Sequence, residues 1–373
     1  MLYRFRGHLD GARPASDLLE VHGEFYGTTS EGGSDGRKCF CGTVFSVDGS
    51  GNEKILYRFK GGGDGANPES GLIFVGGTFY GTTSFGGAGS CSGNSYSGGC
   101  GTIFSFDASG RERIVYNFSG GTGGQYPQGK LLPLNGKLYG TTESGGLPSC
   151  GCGTVFAIDM AGHGGPIYSF TGGNDGGLPA TGLTAIGGTL YGTTTGGSCG
   201  FSGGKCGSVY DISPSGQIHV DHTFSGSDGG YPWSNLVSLN GVLYGTTYEG
   251  GNGCVISGCG TLYSIDKTGT ERVLWLFGGN NDGAKPVGKL AVLNGEIYGT
   301  TQAGGNYNCA APYGCGTVYR FDPSVGREFK LHDFALSEGI APSAGVIARR
   351  STLYATANQG GLRTWGSVFS LVP

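Results

Sequence analysis

The side chains best suited to ligand chemistry lie in short connectors that repeat along the chain. Most connectors carry an Asp-Gly-x-x-Pro frame, at Asp10, Asp64, Asp175, Asp282 and, shifted by one residue, Asp228. The residue before the proline varies from copy to copy: Arg13, Asn67, Tyr126, Leu178, Tyr231, Lys285 and Ala341. Residues after the proline also vary: Asp17, Glu69, Gln128, Lys130, Thr181, Trp233, Asn235 and Lys289. Variable side chains in a fixed frame can diversify a binding surface, and the alternative is simple drift of solvent-facing positions.

Aromatic and polar residues in these connectors favour a carbohydrate ligand. An aromatic face suits the apolar C–H side of a sugar ring, and Asp, Asn or Lys beside it suits the hydroxyls. We expect Trp233 to be the anchor, near the rim of a central channel. The predicted ligand-binding residues are Trp233, Tyr231, Asn235, Tyr126, Lys130, Lys289 and, on another loop, Trp365. The alternative is that these rings only pack the loops.

Catalysis has weaker support in the sequence. His-Glu-x-x-His and phosphate-loop motifs are absent from it. One asymmetric group of candidates is His8, Arg13, Asp17 and Arg363, at the seam between the last and first copies of the repeat. A base, a carboxylate and two cations suit neutralisation of a uronic acid and abstraction of its proton. A polysaccharide lyase or glycoside hydrolase acting at this seam is therefore one alternative to a binding protein, and a structural or self-assembling cell-surface protein is another.

Composition and charge argue against several classes of partner. The formal net charge is −4 and no basic tract is present, so we expect no nucleic acid. No run of 18 apolar residues occurs, so no membrane span is expected, and no signal-peptide pattern opens the chain. We expect no cofactor. The repeated Asp would suit Ca²⁺, but Asp-Gly is also an ordinary turn signal.

The twelve cysteines fall into six local pairs, one in each of the first six copies of the repeat. The pairs are Cys39/Cys41, Cys91/Cys100, Cys150/Cys152, Cys199/Cys206, Cys254/Cys259 and Cys309/Cys315. An even count distributed in this way predicts disulfides within loops and an oxidising, secreted or extracellular compartment. The irregular spacing argues against zinc. The two Cys-x-Cys pairs would close small, strained rings.

These connectors and loops belong to one tandem repeat. Tyr-Gly-Thr-Thr begins at Tyr26, Tyr80, Tyr139, Tyr191, Tyr244 and Tyr298, and a degenerate seventh copy begins at Tyr354. The second copy predicts four strands, A to D, at Leu72–Val75, Thr78–Thr83, Gly101–Asp107 and Arg113–Phe118. We expect one domain, 1–373, with repeat units of approximately 2–55, 56–114, 115–166, 167–221, 222–273, 274–330 and 331–373.

Seven units of four antiparallel strands predict an all-β, seven-bladed propeller, with an open solenoid as the alternative. The two ends of the sequence favour the ring. Residues Leu2 to Phe5 match a D strand, and the last residues match a C strand. We expect the N-terminal strand to complete the last blade, because an open stack would leave two unpaired edges.

The repeat resembles the GloVer-type tandem repeat of exported bacterial proteins. The resemblance rests on Tyr-Gly-Thr-Thr, Gly-Cys-Gly-Thr-Val-Phe, Leu-Tyr-x-Phe and Gly-Gly-x-Asp-Gly-x-x-Pro, and it covers the whole chain. The seventh unit departs from it, with Tyr-Ala-Thr-Ala and no cysteines. The resemblance implies a secreted or surface-anchored protein and brings no catalytic residues.

Overall fold

The computed structural model describes residues 1–34, 39–91, 98–107, 110–197, 207–251, 258–279, 282–306, 309, 314–360 and 365–373. Seven antiparallel sheets form the blades of a β-propeller, as predicted. Neighbouring A strands contact one another, so they form the inner ring. Among the described residues, short 3-10 turns at His8–Asp10, Gly62–Asp64 and Gly121–Gly123 are the only helical segments.

The strands are numbered along the chain. The first, β1 (Tyr3–Arg4), belongs to the last blade. Blade 1 contains β2 (Ala12–Pro14), β3 (Leu19–Val21), β4 (Glu24–Glu31), β5 (Thr43–Asp48) and β6 (Glu53–Arg58). Blade 2 contains β7 (Ile73–Val75), β8 (Thr78–Thr83), β9 (Thr102–Phe106) and β10 (Glu112–Asn117). Blade 3 contains β11 (Leu132–Leu134), β12 (Lys137–Thr142), β13 (Thr154–Asp159) and β14 (Gly164–Ser169).

Blade 4 contains β15 (Thr184–Ile186), β16 (Thr189–Thr194), β17 (Ser208–Ile212) and β18 (Ile218–Thr223). Blade 5 contains β19 (Val237–Leu239), β20 (Val242–Thr247), β21 (Thr261–Ile265) and β22 (Glu271–Leu276). Blade 6 contains β23 (Ala284–Leu293), β24 (Glu296–Ala303), β25 (Thr317–Asp322) and β26 (Arg327–Asp333). Blade 7 contains β27 (Ile347–Arg349), β28 (Thr352–Ala357), β29 (Ser367–Leu371) and β1. The four strands predicted for the second copy of the repeat match β7 to β10 within one residue at each end.

The ring is closed by the N-terminal strand, which pairs antiparallel with β29 and places Tyr3 opposite Val368. A buried phenylalanine follows strand D of every blade and packs edge-on against an aromatic ring on strand C of the next blade. At the closing seam the pair is Phe5 with Phe45, 5.0 Å between ring centroids. The other six pairs have centroids 4.9 to 5.2 Å apart. The seam therefore has the same core contact as every other blade interface.

The Tyr-Gly-Thr-Thr motif is explained by this packing. A Cβ at Gly27 would lie 2.7 Å from the ring of Phe45, so only glycine lets the strand C ring lie flat against strand B. The last threonine bonds across to strand C, as in the 2.8 Å contact between the hydroxyls of Thr29 and Thr43. The first threonine reaches into the next blade, where the hydroxyl of Thr28 donates to the carbonyl of Ser70. Each strand B therefore helps to position the neighbouring connector.

Candidate functional site

A cavity of about 270 Å³ lies at the mouth of the central channel. The connectors of all seven blades line it, and each follows the same order after its proline: a rim residue, a small residue, a throat residue and then a buried Leu or Val. The rim positions are Ala15, Glu69, Gln128, Ala180, Trp233, Val287 and Ser343. The throat positions are Asp17, Gly71, Lys130, Gly182, Asn235, Lys289 and Gly345. All the variable positions that the sequence indicated after the proline line this one cavity.

The backbone of each connector is held by contacts that recur around the ring. The residue before the proline has a positive φ, between 50° and 61°, in all seven connectors. In six connectors, within the described residues, its N–H donates to a carbonyl in the B–C loop of the preceding blade, as from Asn67 to Cys41 at 2.8 Å and from Arg13 to Trp365 at 2.9 Å. These repeated bonds fix the direction in which the rim residue leaves the connector.

The frame Asp acts as a clamp on the outer strand. Asp64 accepts a hydrogen bond from the Tyr57 hydroxyl, at 2.5 Å, and another from the backbone N–H of Lys60, at 2.7 Å. Asp10 binds Tyr3 and Arg6 in the same way. The corresponding carboxylates at Asp175, Asp228 and Asp282 accept hydrogen bonds from Tyr168, His222 and Trp275. The repeated Asp therefore has a structural role in its own blade.

One side of the cavity is aromatic. Trp233 is 39% exposed, and its ring lies edge-on to Tyr231 and Tyr248 at centroid distances of 5.3 and 5.9 Å. The Tyr248 hydroxyl donates to Gln302 Oε1 at 3.0 Å, and the Lys285 ammonium group lies 4.7 Å from the Tyr248 ring centroid. The neighbouring rings orient Trp233 while leaving part of it free to contact a ligand.

The throat is charged, and glycines lie between its long side chains. A Cβ on Gly71 would lie 3.1 Å from Lys130 Cδ, whereas Gly345 packs against the Lys289 backbone, where a Cβ would lie 2.3 Å from the Lys289 carbonyl oxygen. Asp17 is held in place by the N–H of Gly345, which donates to Asp17 Oδ1 at 2.7 Å. Burial lowers the pKa of Lys130 to about 8, an effect that Lys289 strengthens and Asp17 opposes.

The opposite part of the rim is acidic. Glu69 accepts a hydrogen bond from the Ser84 hydroxyl at 3.1 Å, and Glu143 accepts one from the Gln128 side-chain amide at 2.8 Å. Burial raises the pKa of both carboxyl groups, and the neighbouring charge of Glu143 raises the pKa of Glu69 further. The cavity therefore offers an aromatic face, amide and carboxyl groups at its rim, and two amines in its throat.

Several other predicted site residues lie outside the cavity lining. Tyr126 packs against Phe85 at 5.1 Å, on the outer side of the connector. His8 is exposed on a 3-10 turn, and Arg13 forms an ion pair with Glu31 at 2.9 Å. Of the four predicted seam residues, Asp17 lines the cavity, and Arg363 lies outside the described residues.

Trp365 occupies the position that the second cysteine holds in other blades. A Cβ on Gly7 would lie 2.7 Å from the Trp365 ring, just as one on Gly61 would lie 2.9 Å from Cys41 Sγ. Disulfides are formed by Cys39–Cys41, Cys91–Cys100, Cys150–Cys152 and Cys309–Cys315. Cys259 is also disulfide-bonded, while Cys199, Cys206 and Cys254 lie outside the described residues. The predicted pairing within loops is confirmed for these four pairs.

Sequence reasoning missed a further ring of variable residues. The residue directly after each Tyr-Gly-Thr-Thr lies behind the rim, and here Gln302 and Asn358 line the cavity while Glu143 supports Gln128. The sequence could have indicated these residues, because the position after the constant Tyr-Gly-Thr-Thr motif varies from copy to copy, as the connector positions do.

A sequence profile described as the Gloeobacter/Verrucomicrobia repeat matches residues 1–204, 89–313 and 199–373, and so covers the chain. Among solved structures, a Mycobacterium tuberculosis puromycin-hydrolyzing peptidase is 12% identical with a TM-score of 0.56, over 98% of this chain and 53% of that protein. The Niastella koreensis GH74 enzyme is 13% identical with a TM-score of 0.59, over 96% and 52%. The chain thus spans about half the length of both enzymes.

The β-propeller domain of the Trilobed protease from Pyrococcus furiosus is 10% identical with a TM-score of 0.52, over 96% of this chain and 95% of that domain. At such low identity these likenesses establish the propeller fold alone. No curated protein matches the chain.

Proposed function

The chain belongs to the Gloeobacter/Verrucomicrobia repeat family, and within that frame we propose that this propeller binds a carbohydrate in the cavity at its channel mouth. The aromatic corner around Trp233 carries the proposal. A partly exposed indole, oriented by Tyr231 and Tyr248, is the surface on which a sugar ring stacks.

The polar groups around the indole suit the rim of a sugar. Asn235 Oδ1 accepts the Gly182 N–H at 2.8 Å, which fixes the amide plane of a residue that lines the cavity together with Trp233. Gln128 and Glu69 face the cavity from neighbouring blades. Pockets of this composition, apolar on one side with a few oriented polar groups, are typical of small-ligand sites.

Disulfides in the loops support an extracellular setting for this binding, because such bonds persist in oxidising compartments. No helix in the described part of the chain is long and apolar enough to cross a membrane. The disulfides alone are the support for our proposal of a secreted or cell-surface binding protein.

A glycan array followed by calorimetry with the best glycan tests the proposal. Trp233→Ala should weaken binding by about 1–4 kcal/mol, the range for a central aromatic contact, and should leave Tm almost unchanged. The matched control is Trp275→Ala in the outer strand β22, where the indole N–H donates to Asp282 at 3.3 Å. This control should lower Tm and leave affinity unchanged. The absence of glycan binding by the folded wild-type protein would refute the proposed function.

A further inference from the structure

We propose that the throat of the cavity binds a singly charged anionic group of the ligand, a uronate carboxylate or a sulfate ester, between the ammonium groups of Lys130 and Lys289. This inference rests on the proposed carbohydrate function and adds the class of sugar. It starts from the excess of positive charge among the throat residues.

The throat holds two cations and one anion from three different blades. Lys130 and Lys289 repel each other, which contributes to the lowered pKa of Lys130. Within the described residues, neither ammonium group forms a hydrogen bond or an ion pair; Asp17 acts on Lys130 only at longer range. Asp17 is already engaged by the Gly345 N–H. The throat therefore carries one uncompensated positive charge that one bound monoanion would neutralise.

Gly71 leaves room for the Lys130 side chain, because a Cβ at Gly71 would lie 3.1 Å from Lys130 Cδ. Burial of an unpaired ammonium group is unfavourable. A bound anion would remove that penalty.

The rest of the cavity suits the neutral part of the same ligand. Among the described residues, the charged or titratable groups that face or flank it are Asp17, Glu31, Glu69, Glu143, Lys130, Lys285, Lys289 and Tyr248. An ionised carboxylate at Glu69 or Glu143 would repel an anionic sugar, but burial raises the pKa of both groups and favours their neutral forms. A sugar that stacks on Trp233 can therefore direct its acidic substituent towards the lysines. Affinity should fall as the pH rises through about 8, because Lys130 then loses its charge.

The test is a glycan array in which each acidic oligosaccharide is printed beside its carboxyl-reduced or desulfated counterpart. We expect the acidic member of a pair to bind about tenfold or more tightly than its neutral counterpart, the effect of a charge-assisted contact. Whether the carboxylate or the sulfate is preferred follows from which pairs show the difference. Lys130→Met and Lys289→Met should each remove this preference while retaining binding of the neutral sugar.

Lys137→Met is the matched control, because Lys137 is exposed in the turn at the start of β12, away from the cavity lining. It should leave the preference intact. Equal binding of acidic and neutral sugars, unchanged in Lys130→Met and Lys289→Met, would overturn the anion site while the proposed function stood. Absence of binding to every glycan would overturn both. If one lysine variant fails to fold, the other still decides the question.

Discussion

The two halves of each connector, before and after its proline, follow opposite rules. Before the proline, the Asp clamp and the left-handed residue make nearly the same bonds in blade after blade, as with Asp10 and Asp64. After the proline, the rim and throat side chains change from Trp233 to Val287 and from Lys130 to Gly182. The constant half fixes the backbone through the Asp side chains and main-chain bonds. In the variable half, Asp17 and Asn235 also accept backbone N–H groups of neighbouring connectors, from Gly345 and Gly182. The other rim and throat positions can therefore change without loss of these framework bonds.

The largest expected effect comes from breaking the constant framework at the seam. Phe5→Ala should lower the free energy of unfolding by about 3–5 kcal/mol, because it removes a fully buried ring from the closing interface. Urea unfolding would measure the loss. Leu9→Ala is the control, since Leu9 is 51% exposed in the same connector and should change stability little. A Phe5→Ala protein as stable as wild type would show that the seam is not part of the core.

A smaller loss is expected when one clamp is removed. Asp64→Ala should lower the free energy of unfolding by about 1–3 kcal/mol, because the Tyr57 hydroxyl and the Lys60 N–H each lose an acceptor. Thermal unfolding with parallel calorimetry would separate this loss from any change in affinity. Glu69→Gln, five residues further on in the variable half, keeps an acceptor for the Ser84 hydroxyl and should not destabilise the protein. Equal destabilisation by both substitutions would remove the distinction between the two halves.

The smallest expected effect lies in the throat and depends on pH. The folded-state pKa of Lys130, about 8, is below the ordinary lysine value of 10.5, so the folded protein disfavours the charged amine. The resulting penalty is complete below pH 8 and disappears as the pH rises towards 10.5, because the unfolded chain binds more protons in that window. Lys130→Met should therefore be more stable than wild type by about 1 kcal/mol at pH 7 after allowance for partial exposure. This advantage should shrink between pH 8 and 10.5.

Urea titrations at several pH values would measure that difference. Lys137→Met should show no such dependence on pH, because Lys137 is exposed. An advantage of Lys130→Met that stays constant across the window would mean that the Lys130 amine is not buried in the throat.

Much of the fold could be predicted because its determinants are local and repeated. In Tyr-Gly-Thr-Thr, Gly27 leaves space for the Phe45 ring, and the two threonines form hydrogen bonds to the next connector and to strand C. Seven copies of this one motif indicate seven blades. The placement of Trp233, Asn235, Lys130 and Lys289 around one opening also followed from counting residues after each proline.

What the sequence did not reveal depends on contacts between blades. Gly71 and Gly182 lie next to Lys130 only in the folded ring, where the connectors of blades 2, 3 and 4 are neighbours around the axis. Their contacts with Lys130 therefore could not be seen in the sequence. The catalytic candidates at the seam were grouped because they are close together around the predicted ring. In the structure His8 is exposed and Arg13 forms an ion pair with Glu31, so of these three residues only Asp17 lines the cavity. The position of Trp365 could have been recognised from its alignment with the second cysteine, since each directly precedes a glycine.

The indole of Trp365 also bears on how the ring is completed. Blade 7 pairs β1 with β29, so it can form only when the two ends of the described chain are both available. In blade 7 an aromatic ring stands where the described loops of blades 1, 2, 3 and 6 have a cystine. Pairing of β1 with β29 therefore does not depend on a disulfide in the seventh loop. The ring can close before the cysteines of these other blades are oxidised.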